Sequence, residues 1–497
     1  PPWIIITLIS LFSLTVFGKS SLTLKESVKI SHIADGNAGS MIFSLKADGN
    51  DVTVNRYKTY HYLGLESGNP VMCKLNSNEP ITKIVVSPQK YRIVSNVSGN
   101  SAEFRLPGAG YYVIRINDKE KLFIFVDLPE VVPSINVVNI LDTGVDNKGV
   151  KTETGTIQKA IDRIAGTGKT LVFPSGIYKT AALSIPSNVH IYLSAGAILK
   201  ATDDITGFET ASGLKSKYFL LVKDAQNVEI SGRGTIDGNG RALRDKYGDA
   251  ARMRLLLVVN SKNVFIKGVI VRDPGSWNTQ ILHSEDVVIR NVKMMNDVEL
   301  ANTDGFDPDA SKRVLIENCF AYTGDDNVAV KTTNTSGYLQ NVEDITVRGC
   351  VFLTKKSSLK VGTETRGAVM KNILFEDNDV VESDRGMALY CSDGALFQNV
   401  RFVNNRFEDN WPDAKQCGIH FTINKRNPDS SIGQMEEIMI KDCVFLKPFP
   451  KHSEIAGYDQ SHRIRVMIDN LGISGKRCTS LDDTGIDVKG FADVTVK

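Results

Sequence analysis

The sequence lacks the features that would place it in several large protein classes. Its 59 lysines and arginines face 57 aspartates and glutamates, for a net charge of +2. No excess of one sign draws the whole molecule to nucleic acid or to an anionic membrane. The seven cysteines are an odd number, and no two share a Cys-x-x-Cys spacing. Cys319, Cys350 and Cys443 recur in Asn-Cys-Phe, Gly-Cys-Val-Phe and Asp-Cys-Val-Phe. They read as small buried fillers of a stack rather than metal ligands, and neither a metal nor a cofactor is expected. Long apolar runs are missing too, except for Trp3–Phe17, which is followed by Gly18-Lys19-Ser20-Ser21. About 15 apolar residues are few for a bilayer span and suit the core of a signal peptide. The chain starts at Pro1, so the basic segment that precedes such a core is expected to be missing from this sequence. Residues 1–20 are assigned to a signal peptide, with an uncleaved anchor as the alternative. No cysteine follows the run, which argues against a lipoprotein. The mature protein is expected to be secreted or periplasmic, monomeric and free of the membrane.

What the chain has in quantity is one short phrase. Asn188-Val189-His190-Ile191, Asn227-Val228-Glu229-Ile230, Asn263-Val264-Phe265-Ile266 and Asp286-Val287-Val288-Ile289 share a pattern that returns from Arg313, Asp344, Asn372, Asn399, Glu437 and Asp493. Its apolar residues stand two apart, as in a strand with one buried face. Its irregular return is that of a solenoid with variable loops, in which each coil must stack to bury its apolar side. A hydrophobic content of 42% with 40 glycines fits a turn-rich all-β protein. The fold class expected is all-β: a right-handed parallel β-helix over residues 133–497.

The phrase is absent before residue 130. There, alternating apolar stretches such as Tyr111–Ile116 and Leu122–Val126 lie between Gly- and Asn-rich turns. Residues 21–132 are therefore expected to form a small N-terminal β-sandwich, with Pro129–Pro133 as linker. Ile157, Ala160, Ile161 and Ile164 then follow helical spacing. This predicts an amphipathic helix, N-capped by Thr154 or Thr156, that covers the open end of the solenoid.

Three aspartates carry the candidate chemistry: Asp304 in Asn302-Thr303-Asp304-Gly305, and Asp325 with Asp326 after Gly324. The 21-residue step from Asp304 to Asp325 is about one coil, which places the three side by side on neighbouring strands about 4.8 Å apart. Clustered carboxylates of unequal proton affinity are what acid/base cleavage of a glycosidic bond requires. Turn capping is the plainer reading, because Asp-Gly and Gly-Asp are ordinary turn chemistry. That reading is kept for Asp307 and Asp309.

From about residue 136 the chain resembles glycoside hydrolase family 28, the polygalacturonase family of the pectin-lyase-like β-helix superfamily. The resemblance rests on Ile157–Asp162, Val172–Tyr178, Leu193–Ala197, Trp277-Asn278, Asn302–Gly305, Gly324–Asp326 and Gly362–Glu364. It implies an inverting polysaccharide hydrolase in which Asp325 is the general acid and Asp304 and Asp326 activate a water. Such an arrangement needs acid and base about 6.5–9.5 Å apart. Mutual repulsion should raise one of the three carboxyl pKa values. The family's Gly-His-Gly and Arg-Ile-Lys segments fall on Lys355–Ser358 and Ala388-Leu389-Tyr390, where histidine, arginine and lysine are absent. The aspartates therefore transfer and the polygalacturonate substrate does not.

Strand alternation turns Gln280, Asp307, Ala329, Lys331, Lys360, Ala388, Tyr390 and His420 outward, beside Trp277 and Arg385. Asn302, Trp277, Asn278, Gln280, Lys331, Lys360, Arg385, Tyr390 and His420 are the candidate substrate-binding residues. Lys360, Arg385 and His420 could pair with a sulfate or an acidic sugar, and Trp411 could be packing or platform. Three alternatives stand beside the hydrolase: a polysaccharide lyase with Lys360 or Arg385 as base, a β-helix hydrolase of a sulfated or neutral α-linked polysaccharide, and a non-catalytic carbohydrate-binding solenoid.

Overall fold

The computed structural model describes residues 29–31 and 39–497, except 211, 335, 336 and 368. The expected signal peptide lies outside the described residues. Residues up to Asp127 form two sheets, of six and five strands. Their shared core includes Leu45, Cys73, Leu75, Phe104, Tyr112, Ile114, Leu122 and Ile124. The strands Gly110–Ile116 and Glu120–Asp127 do not alternate apolar with polar as expected. Tyr111, Val113, Phe123 and Phe125 are also buried, in a second cluster with Met295, Phe320, Tyr322, Leu353 and Trp411 of the solenoid. One sheet is therefore apolar on both faces, because its outer face docks on the β-helix. Trp411 belongs to this joint, with the Lys121 ammonium 5.2 Å from its ring, so it is packing. Asp127, paired with Lys293 at 2.6 Å and Arg233 at 3.3 Å, adds ion pairs across the same contact.

From Val137 the chain winds as a right-handed parallel β-helix, with a 13-stranded sheet on one side and a 22-stranded sheet around the others. The repeated phrase builds the first of these. Its opening Asn, Asp, Arg or Glu takes a left-handed conformation at residues 188, 227, 263, 286, 313, 344, 372, 399 and 437. Asn and Asp accept that conformation most readily among non-glycine residues, so the phrase encodes a corner followed by two core positions. Val228 and Ile230 pair with Val264 and Ile266, then Val287 and Ile289, and all six are buried. The helix Thr154–Ile164 buries Ile157, Ala160, Ile161 and Ile164 at the solenoid end. Its N-cap is Glu153 rather than a threonine; Thr154 instead accepts the Ala181 N–H at 2.8 Å. All seven cysteines are free and buried. Among the described residues no helix is long and apolar enough to cross a membrane.

Candidate active site

The three aspartates sit in turns that lead into strands of the 22-stranded sheet. Asp304 precedes Phe306–Asp309, and Asp325 and Asp326 precede Val328–Thr332. The two turns are stacked: the Gly305 N–H donates to the Asp326 carbonyl at 2.8 Å, and the Asn278 N–H to that of Asp304 at 2.9 Å. This contact explains both motif glycines. A Cβ on Gly305 would lie 2.3 Å from the Asn327 carbonyl oxygen, and one on Gly324 would lie 2.7 Å from the Thr303 hydroxyl.

One oxygen from each of Asp304, Asp325 and Asp326 lies within 4.8 Å of the others. The nearest oxygens are thus closer than the 6.5–9.5 Å expected of an inverting acid/base pair. Two lysines divide the cluster. Lys331 reaches Asp304 and Asp307 at 3.0 Å each, and Lys360 donates to Asp326 at 2.6 Å. The other Asp326 oxygen accepts the Ser357 N–H at 2.9 Å. The Asp304 Oδ1 is buried and accepts no hydrogen bond from the described residues.

Among the described residues Asp325 forms no ion pair of its own, and it stays half-buried. Burial, then the charges of Asp304 and Asp326, push its carboxyl up to about 7. In Asp326 burial acts upward too, but the Lys360 ammonium, the Lys331 charge and the Ser357 N–H together hold the group below the ordinary carboxylate value. Burial favours a neutral Lys331, yet the carboxylates of Asp304 and Asp307 keep it charged. With an ammonium seated on two of the three aspartates, the cluster suits proton transfer better than a divalent cation.

The strand register matches the outward set. Gln280 pairs with Asp307, Ala329 with Lys360, Lys360 with Ala388, and Ala388 with His420. Val328, Val330, Leu359, Val361, Leu389 and Ile419 lie in the core. Outward does not mean free, however. Ala329 and Ala388 are fully covered. Asn278 is buried and donates to Asn296 at 2.8 Å, while Gln280, also buried, donates to Asp309 at 2.9 Å. Both support the site from beneath rather than line it. Asp307 and Asp309 are not turn residues. They lie in a buried strand, where Asp307 meets Lys331 and Asp309 accepts from Gln280 and Thr333.

Asn302 accepts a hydrogen bond from Arg252 at 2.9 Å. Trp277 has the Lys331 ammonium 3.5 Å and the Arg254 guanidinium 3.8 Å from its ring centre. Arg385 donates to Ser357 at 2.9 Å, and the Tyr390 hydroxyl meets His420 at 2.8 Å. Arg254 and Glu364 escaped the sequence reading. Arg254 carries no motif of its own in the sequence, and Glu364, 4.0 Å from Lys331, enters it only within Gly362-Thr363-Glu364.

The protein is thus a parallel β-helix with a lysine-divided aspartate cluster on its side. The chain belongs to the glycosyl hydrolases family 28, whose family model matches residues 168–495. It is 25% identical over 276 residues to a probable polygalacturonase of Vitis vinifera, covering 50% of this chain and 56% of that one. It is 26% identical over 322 residues to an endo-polygalacturonase of Pectobacterium carotovorum subsp. carotovorum, covering 59% and 77%. The chain thus spans little more than half the length of the first relative. Dex49A from Penicillium minioluteum superposes with a TM-score of 0.63 over 94% of this chain and 96% of its own, at 11% identity, a likeness of fold.

Proposed function

We propose that this protein is an exported glycoside hydrolase that cleaves a polysaccharide with Asp325 as general acid. The observation that carries the reading is the division of the cluster: Lys331 and Lys360 are seated on Asp304 and Asp326, and Asp325, the half-exposed member with no ion pair among the described residues, has its carboxyl pushed up to about 7. A carboxyl raised to about 7 is still protonated in a large share of molecules at neutral pH and can hand its proton to a departing glycosidic oxygen. The Asp304 oxygen without a hydrogen bond is the acceptor for the proton of an attacking water. Asp326, held on both oxygens by Lys360 and Ser357, is a poor nucleophile, which supports inversion over double displacement. The short carboxyl spacing favours the second course. Proton NMR of the newly formed anomeric centre separates them, with inversion expected.

The relatives' names point to polygalacturonate, but the cations beside the catalytic aspartates are already paired. Polygalacturonate is therefore expected to be cut weakly, and efficient cleavage would show that Arg385 or Lys356 recognises its carboxylate. New reducing ends without absorbance at 235 nm are expected on the true substrate; unsaturated products would make the protein a lyase. Export rests on the Trp3–Phe17 run and is tested by finding processed protein outside the producing cell.

A further inference from the structure

Residues 297–303 form the loop that delivers Asp304 to the site, and this loop is fixed from two sides. On the solenoid side, the Thr303 hydroxyl donates to the Leu300 carbonyl at 2.8 Å, and the Asn296 amide to the Thr303 carbonyl at 2.9 Å. The loop also packs on the turn before Asp325: a Cβ on Gly324 would lie 2.9 Å from the Val298 carbonyl oxygen and 3.0 Å from that of Leu300. On the other side stands the N-terminal sandwich. Lys58 lies in the turn between strands Asn55–Tyr57 and Tyr60–Glu66, and its ammonium is 2.9 Å from Asp297 and 2.9 Å from Asp273. Both carboxylates are nearly covered, with side chains 9% and 4% exposed. Tyr57 also donates to Asp273, and the other Asp297 oxygen accepts the Glu299 N–H at 3.0 Å. Arg241 stands farther off, 3.8 Å from Asp297.

We propose that Lys58 is a positioning residue for the catalytic aspartates: from the N-terminal domain it clamps the loop that sets Asp304 beside Asp325. This deepens the hydrolase reading and rests on it. Lys58 acts through Asp297 rather than on the reacting atoms. Without its charge, two covered carboxylates would face each other, a cost relieved by moving apart or admitting water. Asp273 follows the strand Ile270–Arg272 and its carbonyl accepts the Gly240 N–H at 2.9 Å, so it belongs to the frame. Asp297 belongs to the loop, and the loop is the part that gives. A displaced loop carries Asp304 with it and uncovers Gly324. Asp325 would then lose burial and the charge of Asp304, the two largest causes of its raised carboxyl, while Lys360 and Lys331 still act downward against Asp326.

The test compares Lys58→Met, Lys58→Arg and Asp297→Asn in the full chain, with Lys121→Met as control. Lys121 also spans the joint, to Glu382 at 3.1 Å, but pairs away from the loop. The assay follows reducing ends on a panel of pectic, algal sulfated and α-glucan polymers. On a polymer that is cut, folded Lys58→Met and Asp297→Asn are expected to lose about 10- to 100-fold in kcat, with KM held and the alkaline limb of activity moved to lower pH. Lys58→Arg should restore both readouts, and Lys121→Met should leave both at wild type. Wild-type kcat and an unmoved limb in Lys58→Met would overturn the clamp and leave the hydrolase standing, whatever the melting temperature does. Should Lys58→Met not fold, Asp297→Asn decides on the same terms. Hydrogen exchange needs no substrate: residues 297–305 should exchange faster in Lys58→Met while the strand Lys312–Glu317 holds, and unchanged exchange would overturn the clamp. No new reducing ends with wild type on any polymer would overturn the hydrolase reading and leave the clamp to the exchange result.

Discussion

The two sheets of the solenoid follow opposite rules. The 13-stranded sheet carries the repeated phrase: buried apolar residues inward, partly accessible residues of mixed character such as Glu229, Phe265 and Leu315 outward, with corner amides laddered from coil to coil, as where Asn227 donates to Asn188 at 2.9 Å and Asn263 to Asn227 at 3.2 Å. The 22-stranded sheet carries the aspartates. Its register shifts within Val351–Thr365 and Asp379–Cys391, and it buries Asp307, Lys331 and Lys360 on its outer side. A solenoid spends one face on repetition and another on irregularity, and the irregular face is where charge is desolvated and chemistry becomes possible.

This contrast can be broken from either side. The largest expected effect is Asp325→Asn, which should lower kcat by about 10²–10⁴ while melting temperature holds; activity within tenfold of wild type would remove Asp325 from the acid role. Lys360→Met comes next. It strands Asp326 in a buried site, and breaking such a pair costs about 3–5 kcal/mol, read by denaturant unfolding; a neutral result would mean that water reaches Asp326. On the regular sheet, Ile345→Ala, at a fully buried position, should cost about 2–5 kcal/mol and leave kcat unchanged at permissive temperature. A change in kcat there would show that the two sheets are not independent.

The pH dependence sharpens the contrast further. Activity should fall as pH rises through about 7, where Asp325 loses its proton. Because its folded pKa lies above the ordinary 3.8, its contribution to stability is full below that value and is lost between about 4 and 7. Wild type should therefore lose melting temperature relative to Asp325→Asn across this window, and parallel profiles would contradict the shift. Smallest of all is Asn227→Ala in the exposed ladder, expected to cost about 1 kcal/mol or less by chemical denaturation.

The repetition is also why the fold was legible. Ten copies of one phrase report corner and core together, and the stacking of Asp304 on Asp326 follows from coil length alone. Three strands of the same sheet, Val137–Asn139, Thr170–Phe173 and Ile464–Asp469, were not counted among those copies. The site was legible only as an arrangement of backbone positions. Alternation tells which way Gln280 and Ala388 point, but not what a neighbouring loop lays over them. Asp307 and Asp309 look like turn residues because Asp and Pro stand together, and only the pairing with Lys331 and Gln280 makes them parts of a strand. The N-terminal strands misled for a related reason: Tyr111 and Phe123 face a partner more than 150 residues away in the chain.

That partner surface has a practical consequence. Tyr60, Tyr62, Phe123 and Phe125 meet Phe320 and Tyr322 across the joint, with Phe123 and Phe320 ring centres 4.8 Å apart. Cutting the chain at the linker to obtain the solenoid alone would leave these rings bare on the coils next to Asp304. A contiguous aromatic patch in water invites association with other copies. The shortened chain is expected to aggregate, so production and engineering of this protein must treat both halves as one folding unit.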